Sequence, residues 1–232
     1  MFDLDLSYSV LLILCLIAAC GFEFVNGFHD TANAVATVIY TNSLKPWVAV
    51  IWSGMFNFLG VLLGGITVAV GIINLLPVET LVDQNLAHSM SMIMALLISA
   101  IAWNLLTWYF GIPCSSSHTL LGSILGVAIA YSLLPGVTQA PVNWEKASQT
   151  GMSLLISPLF GFSMTIILMF IIKRLTRRSE YGDSLFKEPK KNAPPPTWIR
   201  AILILTCTSV SFSHGSNDGQ KGVGLVMLIL IG

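Results

Sequence analysis

Residues 25–34 read V-N-G-F-H-D-T-A-N-A, and they place several polar side chains inside an otherwise apolar stretch. The run LLILCLIAAC precedes them, and V-A-T-V-I-Y follows. A helix that crosses a bilayer needs about 20 mostly apolar residues, and a charge at its centre costs at least about 2.5–3.5 kcal/mol. Polar residues in such a helix face a cavity or one another. This stretch therefore predicts a membrane fold with a polar site inside it.

The composition excludes an ordinary soluble domain. Of the 232 residues, 55% are hydrophobic and 9% are charged, whereas a soluble domain carries about 25% charged residues.

The start, MFDLDLSYSV, has two Asp and no Lys or Arg, so we expect a retained helix rather than a signal peptide. The four cysteines lack metal-ligand spacing and are predicted to be buried thiols.

The apolar runs predict an all-α, polytopic transmembrane bundle with about six membrane segments. The first and last runs are long enough to contain a break. The stretch Lys173–Arg200 holds eight of the eleven Lys and Arg residues. The positive-inside rule places it in the cytoplasm, and five preceding helices place the N-terminus outside. The predicted runs are 8–41, 47–76, 88–110, 117–134, 150–173 and 199–232.

The sequence contains an internal repeat. With an offset of 188 residues, E-F-V-N-G-F-H-D-T-A-N-A-V (23–35) lies over S-F-S-H-G-S-N-D-G-Q-K-G-V (211–223). Each copy has an Asp three residues after a Gly, and we expect helix breaks at Gly27 and Gly215. Five crossings between the copies make the repeats inverted, which is typical of secondary transporters with interrupted helices. The alternative is two unrelated polar kinks.

The polar residues of each copy share one helical face. In the second copy, His214, Asp218 and Lys221 follow at spacings of 4 and 3. Two intramembrane carboxylates, Asp30 and Asp218, suit a cation or proton site. The alternative is a hydrogen-bonded seam between helices, which suits Asn26 or Thr37. The face of the first copy is formed by Glu23, Asn26, Asp30, Asn33 and Thr37.

A second feature is G-I-P-C-S-S-S-H-T-L-L-G (111–122). Pro113 is expected to end one helix, and three serines then precede another. Serine favours the N-cap, and a helix N-terminus binds anions, so these residues suit a tetrahedral oxyanion. A capped turn at the membrane edge is the alternative. A hydrolase built on His118 and a neighbouring serine is disfavoured, because adjacent residues rarely face each other as nucleophile and base.

These segments together resemble the PiT family of inorganic phosphate transporters, in particular its bacterial low-affinity members. The resemblance implies symport of phosphate with protons or sodium, and in some members transport of a neutral metal–phosphate complex. It implies no enzyme activity, no cofactor and no resident metal. The family motifs fall on Gly27, Asp30, Thr31, Asn33 and Ala34; on Gly215, Asn217, Asp218 and Lys221; and on Pro113, Ser115, Ser116, His118 and Thr119.

Residue roles follow from this resemblance as expectations. Asp30 and Asp218 are expected to couple the cation or proton, and Glu23 to relay a proton, with structural pairing as its alternative. Lys221 stands where the first copy has Asn33, and a tethered ammonium there could replace a sodium ion or pair with phosphate, so we favour protons over sodium. The expected phosphate-binding residues are Ser115, Ser116, Ser117, Thr119, Asn33, Asn217 and Lys221.

The expected organisation is a first repeat at 1–172, a basic cytoplasmic loop at 173–198 and the start of a second repeat at 199–232. Because the second repeat is barely begun, we expect one half of a transporter. The expected location is a bacterial inner membrane, with phosphate, lipids and a second copy as partners and no nucleic acid. The rivals are a transporter of sulfate or a divalent metal, and a membrane scaffold or receptor without transport.

Overall fold

The computed structural model describes residues 6–75, 86–134, 142–176 and 194–231, without the side chains of 86 and 87. Within these ranges the secondary structure is α-helical, with no strand, so the all-α prediction is confirmed. The helices are α1 (Leu6–Tyr40), α2 (Pro46–Leu63), α3 (Thr67–Ile73), α4 (Leu86–Tyr109), α5 (Ser116–Ser132), α6 (Trp144–Thr176), α7 (Thr197–Asn217) and α8 (Gly219–Ile231).

Four stretches of the described chain are long and apolar enough to cross a membrane, namely Leu6–Tyr40, Pro46–Leu63, His88–Tyr109 and Trp144–Thr176. α5 has 17 residues and α8 has 13, so both are shorter than a typical span. The fold class, a polytopic helical membrane protein, is confirmed. The predicted number of six segments is approximate.

The predicted break at Gly27 is wrong, because α1 runs without interruption over 35 residues. A glycine inside a helix costs only about 1 kcal/mol, which the surrounding apolar helix tolerates. The Thr31 hydroxyl also donates to the Gly27 carbonyl at 2.6 Å. In the second copy the helix ends two residues later than predicted, at Asn217 with Asp218 as its C-cap, and Gly215 lies inside α7.

Two further interruptions shape the bundle. The predicted run 47–76 is divided between α2 and α3, at a turn where Gly65 has a φ of +80° that favours glycine. The helix end predicted at Pro113 is confirmed, because α4 ends at Tyr109 and α5 begins at Ser116. Gly111, with a φ of +64°, turns the chain between them.

The main core lies between α1, α4, α5 and α8. Phe22, Leu97, Ile124 and Leu228 are all almost fully buried there. A smaller cluster joins α1, α2 and α7 through residues such as Val38, Ala49 and Cys207. Packing of α1 against both α7 and α8 brings the two copies of the repeat together.

The cysteine prediction holds only in part. Cys15 and Cys207 are buried as expected, whereas Cys20 is exposed and Cys114 is half-buried. The reason is position: Cys20 lies on the outward face of α1, and Cys114 lies in the turn before α5.

Small residues let α2 and α7 approach closely. A Cβ on Gly215 would overlap the Asn57 carbonyl oxygen, and one on Gly60 would overlap the backbone of α7. The Ser211 hydroxyl donates to the Ser53 hydroxyl at 2.8 Å across the same contact. Close backbone contact of this kind replaces the missing hydrophobic driving force between helices in lipid. Gly215 therefore serves this close approach rather than a helix break.

α6 stands apart from this packing, with only Ala147 buried among its 33 residues. Its C-terminal turn, through Thr176, includes the start of the predicted basic loop, and α7 begins at Thr197 before that loop was expected to end. Residues 177–193 of the predicted loop lie outside the described residues.

We expect Gly215→Ala to lower the stability of the purified protein, because the added methyl group forces α2 and α7 apart. Overpacking of this kind costs about 1–3 kcal/mol. The measurement is the melting temperature in detergent, followed by the monodisperse fraction after heating.

Gly54→Ala on α2 is the matched control. A Cβ there meets nothing within 4 Å, so this variant should melt at or slightly above the wild-type temperature. Equal melting temperatures for Gly215→Ala and wild type would contradict the close packing.

Candidate functional site

A buried lysine occupies the centre of the polar site. Lys221, on the first turn of α8, is 4% exposed. Its Nζ lies 3.1 Å from Asp218 Oδ1 and donates to Ser116 Oγ, also at 3.1 Å. The spacing of three residues across the helix interruption brings Asp218 and Lys221 together. The contact with Ser116 places this ion pair beside the start of α5. A buried ammonium requires such partners, because its desolvation is costly.

Ser116 links the second copy of the repeat to the first. Its hydroxyl donates to Asp30 Oδ2 at 3.3 Å while it accepts from Lys221. A hydroxyl can donate once and accept twice, so both contacts are compatible. One side chain at the N-terminus of α5 therefore contacts charged groups from α1 and α8.

His214 lies between the two aspartates. Its Nε2 is 3.8 Å from Asp30 Oδ2, and its Nδ1 is 3.5 Å from Asp218 Oδ2. We call Asp30, Ser116, His214, Asp218 and Lys221 the aspartate cluster. The contact between His214 and Asp30 therefore joins the two copies of the repeat directly.

Three members of the aspartate cluster could hold a metal ion, since ligand atoms of Asp30, His214 and Asp218 lie within 4.8 Å of one another. Carboxylate and imidazole are ordinary ligands of divalent transition metals. Sequence spacing had indicated no metal site. The sequence did contain a signal for this group, namely the spacing of four between His214 and Asp218 and the repeat that aligns Asp218 with Asp30. It could not indicate a three-ligand site, because only the fold brings Asp30 to the other two residues.

The serine element caps α5. Ser115 is the N-cap, and its Oγ accepts from the His118 backbone N–H at 3.5 Å and contacts His118 Nδ1 at 2.8 Å. The two residues therefore do face each other, contrary to the sequence expectation. Their contact closes the cap, since Ser115 Oγ is the acceptor for the helix start. Thr119 is buried, and its hydroxyl donates to the Ser115 carbonyl at 3.1 Å.

Open grooves reach the aspartate cluster. One of about 380 Å³ is lined by Ser117, Asn217, Asp218 and Lys221, together with apolar residues of α3, α5 and α6. Another of about 320 Å³ is lined by His214, Asn217, Asp218 and neighbouring residues of α7. Asp218 therefore borders both grooves.

A larger groove, of about 710 Å³, opens on the other side of the serine element. It borders Ser115, His118 and Thr119 and is lined on its far side by α4. The first turn of α5 is thus accessible from two directions.

Other predicted site residues lie at the margin. Asn33 is exposed on α1, one turn beyond Asp30. Asn217 is exposed and donates to the Ser213 carbonyl at 3.0 Å. The structure therefore brings Asp30, Asp218, Ser116 and Lys221 together but leaves the two asparagine side chains outside their contacts.

Glu23 lies two turns before Asp30 and packs against α8. A Cβ on Gly222 would collide with its side chain. Asn26 Nδ2 donates to Glu23 Oε2 at 3.5 Å, and Glu23 Oε1 has no hydrogen-bond partner among the described residues. Glu23 therefore lies near Lys221, which precedes Gly222 in the chain. The contacts of Glu23 itself are with Asn26 and Gly222.

Sequence reasoning missed Asn104. It is buried in α4 and contacts both His29 and Cys114. The signal for it was an amide in the middle of an apolar run, which the sequence shows without indicating a partner.

Comparison with known proteins identifies the family. Residues 26–232 match the model of the phosphate transporter family. The chain belongs to the phosphate transporter family. This is a family of transporters rather than enzymes, in agreement with the resemblance seen in the motifs.

Two curated relatives are the low-affinity inorganic phosphate transporters PitA and PitB of Escherichia coli K12. The chain is 45% identical to PitA and 43% identical to PitB, in both cases over 99% of this chain and 47% of the relative. It therefore spans about half the length of these relatives.

A solved structure, "The sodium-dependent phosphate transporter", has a TM-score of 0.74 and 19% identity, covering 96% of this chain and 68% of that one. At this identity the likeness concerns the fold. It agrees with the helical membrane architecture described above.

We expect Lys221→Met to destabilise the protein, because Asp218 loses its ammonium partner. The loss should be about 1–3 kcal/mol, less than for a fully buried pair, since the Asp218 side chain is 26% exposed. The double variant Lys221→Met/Asp218→Asn removes both charges and should recover most of the stability. Thermal melting of the purified variants measures this, and a double variant that is no more stable than Lys221→Met would contradict the ion pair.

Proposed function

We propose that this protein imports inorganic phosphate by cation symport, with protons favoured over sodium. The observation that carries the proposal is the aspartate cluster. It joins acidic residues of both repeat copies to the N-terminus of a helix through Ser116 and Lys221. A cation site and an anion site therefore share side chains, which gives the two bound ions a direct route for coupling.

The anion side is formed by the first turn of α5. The first three backbone N–H groups of a helix have no carbonyl partner within it and lie at the positive end of its dipole. In α5 one of them, the His118 N–H, donates to Ser115 Oγ. The Lys221 ammonium lies at this turn, 3.1 Å from Ser116. We assign phosphate to this turn, with Ser115, Ser116, Ser117 and Thr119 around it. Asn33 and Asn217 are assigned as outer contacts, because both are exposed beside the cluster.

The cation side is formed by Asp30 and Asp218. Lys221 already neutralises Asp218 at 3.1 Å, whereas Asp30 contacts a hydroxyl and an imidazole. With His214 neutral, the cluster carries one uncompensated negative charge, which one proton on Asp30 would remove. The tethered ammonium occupies a place that a sodium ion could otherwise take, and this supports proton coupling. Glu23 is assigned as a proton relay on the same face of α1.

A second candidate is import of phosphate as a neutral complex with a divalent metal. The convergence of Asp30, His214 and Asp218 within 4.8 Å favours it. In this case the metal is part of the substrate, and the three side chains would contact it while the α5 N-terminus contacts the phosphate.

The proposed topology consists of two inverted repeats, 1–172 and the segment from 199, with a cytoplasmic basic loop at 173–198. Arg200 Nε donates to the Ser43 carbonyl at 2.8 Å, so the start of α7 and the turn between α1 and α2 lie at the same end of the bundle. Both regions carry positive charge, which supports a cytoplasmic position. The N-terminus is then periplasmic in an inner membrane, and lipids and a second copy are proposed neighbours of the exposed α6.

We expect Asp30→Asn to lower phosphate uptake driven by a pH gradient by about tenfold or more, because the neutral amide cannot take up and release the coupled proton. Loss of one charge-assisted contact corresponds to a change of this size. The measurement is radiolabelled phosphate uptake by the full-length protein in sodium-free proteoliposomes.

Glu145→Gln is the matched control, since Glu145 is exposed at the start of α6. It should transport like the wild type. Full uptake by Asp30→Asn would remove this carboxylate from coupling. Wild-type uptake that is inhibited by sulfate rather than arsenate would point to a different substrate.

We expect Lys221→Asn to make uptake respond to sodium, because the variant places in the second copy the residue that the first copy has at Asn33. Removal of the ammonium leaves room and charge for a sodium ion beside Asp218. Uptake is compared at constant pH in sodium chloride and in potassium chloride. A wild-type protein that needs sodium under these conditions would refute proton coupling.

A further inference from the structure

Asn104 is a buried amide that the aspartate cluster does not use. It lies in α4 and is 1% exposed. Its backbone carbonyl contacts His29 Nε2 at 2.9 Å, and its side-chain Oδ1 accepts from the Cys114 thiol at 3.7 Å. The remaining group, the Nδ2 amide, has no hydrogen-bond partner in the described part of the chain.

A buried N–H group without an acceptor is costly, so an acceptor is expected to arrive from elsewhere. The carboxamide lies at the turn before α5, because its partner Cys114 is two residues before Ser116. Cys114 Sγ in turn lies 3.1 Å from the Thr119 hydroxyl on the first turn of α5. The unused donor is thus close to the helix start to which we assign phosphate.

The position of Asn104 is fixed from the opposite side by α1. His29, which contacts its carbonyl, is the residue directly before Asp30. Asn104 therefore lies between the N-terminus of α5 and the segment of α1 that carries the coupling carboxylate. An amide in this place adds a donor without changing the net charge of the site.

We propose that Asn104 is a phosphate-binding residue, whose Nδ2 donates to an oxygen of the anion held at the first turn of α5. This rests on the proposed function and extends the site to α4, which the repeat motifs do not include. Phosphate and arsenate, as oxyanions with several acceptor oxygens, are the ligand class that this donor fits.

The test is equilibrium binding of radiolabelled phosphate to the purified full-length protein, together with the rise in melting temperature that phosphate causes. Asn104→Leu keeps a similar branched shape and removes the donor. We expect about tenfold weaker phosphate binding and a smaller phosphate-induced rise in melting temperature. Without phosphate the variant should melt no lower than the wild type, because an unsatisfied buried group has been removed.

Thr107→Val is the control on the same helix. The Thr107 hydroxyl donates to the backbone carbonyls of Trp103 and Asn104 at 2.9 and 3.0 Å, so it has no free donor for a ligand. This variant should bind phosphate like the wild type.

A second pair, Asn104→Ser and Asn104→Ala, keeps the test valid if the leucine variant does not fold. Both leave a similar space, but only serine retains a donor, so serine should bind phosphate more tightly than alanine. Wild-type affinity in Asn104→Leu, or equal affinities in the serine and alanine variants, would overturn the role of Asn104. Absence of phosphate binding by the wild type would instead overturn the proposed function, and this inference with it.

Discussion

The structure depends on the cost of placing charge inside an apolar helical bundle. Asp30, Asp218 and Lys221 belong to segments that the sequence marks as membrane-embedded, and each would be strongly unfavourable alone. They are accommodated because Lys221 contacts Asp218 directly and reaches Asp30 through the Ser116 hydroxyl. This requirement draws α1, the start of α5 and the junction of α7 and α8 to one place. A transporter can use such an arrangement because each bound ion changes the balance of charge for the other.

The bundle must also hold this junction in position. Glycine and serine residues let α7 lie against α2 at backbone distance, and the apolar core packs α8 against α1. These contacts fix the junction of α7 and α8 relative to α1 and α2. The helix interruption at Asp218 is short, so His214 and Lys221 remain on the same side as the aspartate. Packing of small residues thus determines where the charged residues are, although none of these small residues touches an ion in our assignment.

Much of the fold and of the candidate site could be predicted from the sequence, and the predictions that were wrong have physical causes. The periodicity placed Glu23, Asn26 and Asp30 correctly on one inward face, and Pro113 correctly marked the end of a helix. Asn33 and Thr37, which were predicted on the same face, are exposed instead. Gly27 was misread because a single glycine weakens a helix by too little to break it when apolar neighbours support it. The break near Gly65 was missed because an apolar run looks continuous whether or not a glycine within it adopts a positive φ.

The sequence by itself determined the membrane class, the repeat and the residue types of the site, because hydropathy and spacing act along the chain. It also carried the family, through motifs whose residues are adjacent in the chain. Only the tertiary structure decided that Ser116, rather than its neighbours, joins the two copies, that His214 lies between the aspartates, and that Asn104 approaches the serine element. Apart from the His214–Asp218 pair, these contacts link residues separated by 10 to 184 positions in the chain. Such distances are closed by helix packing, which local sequence patterns do not specify.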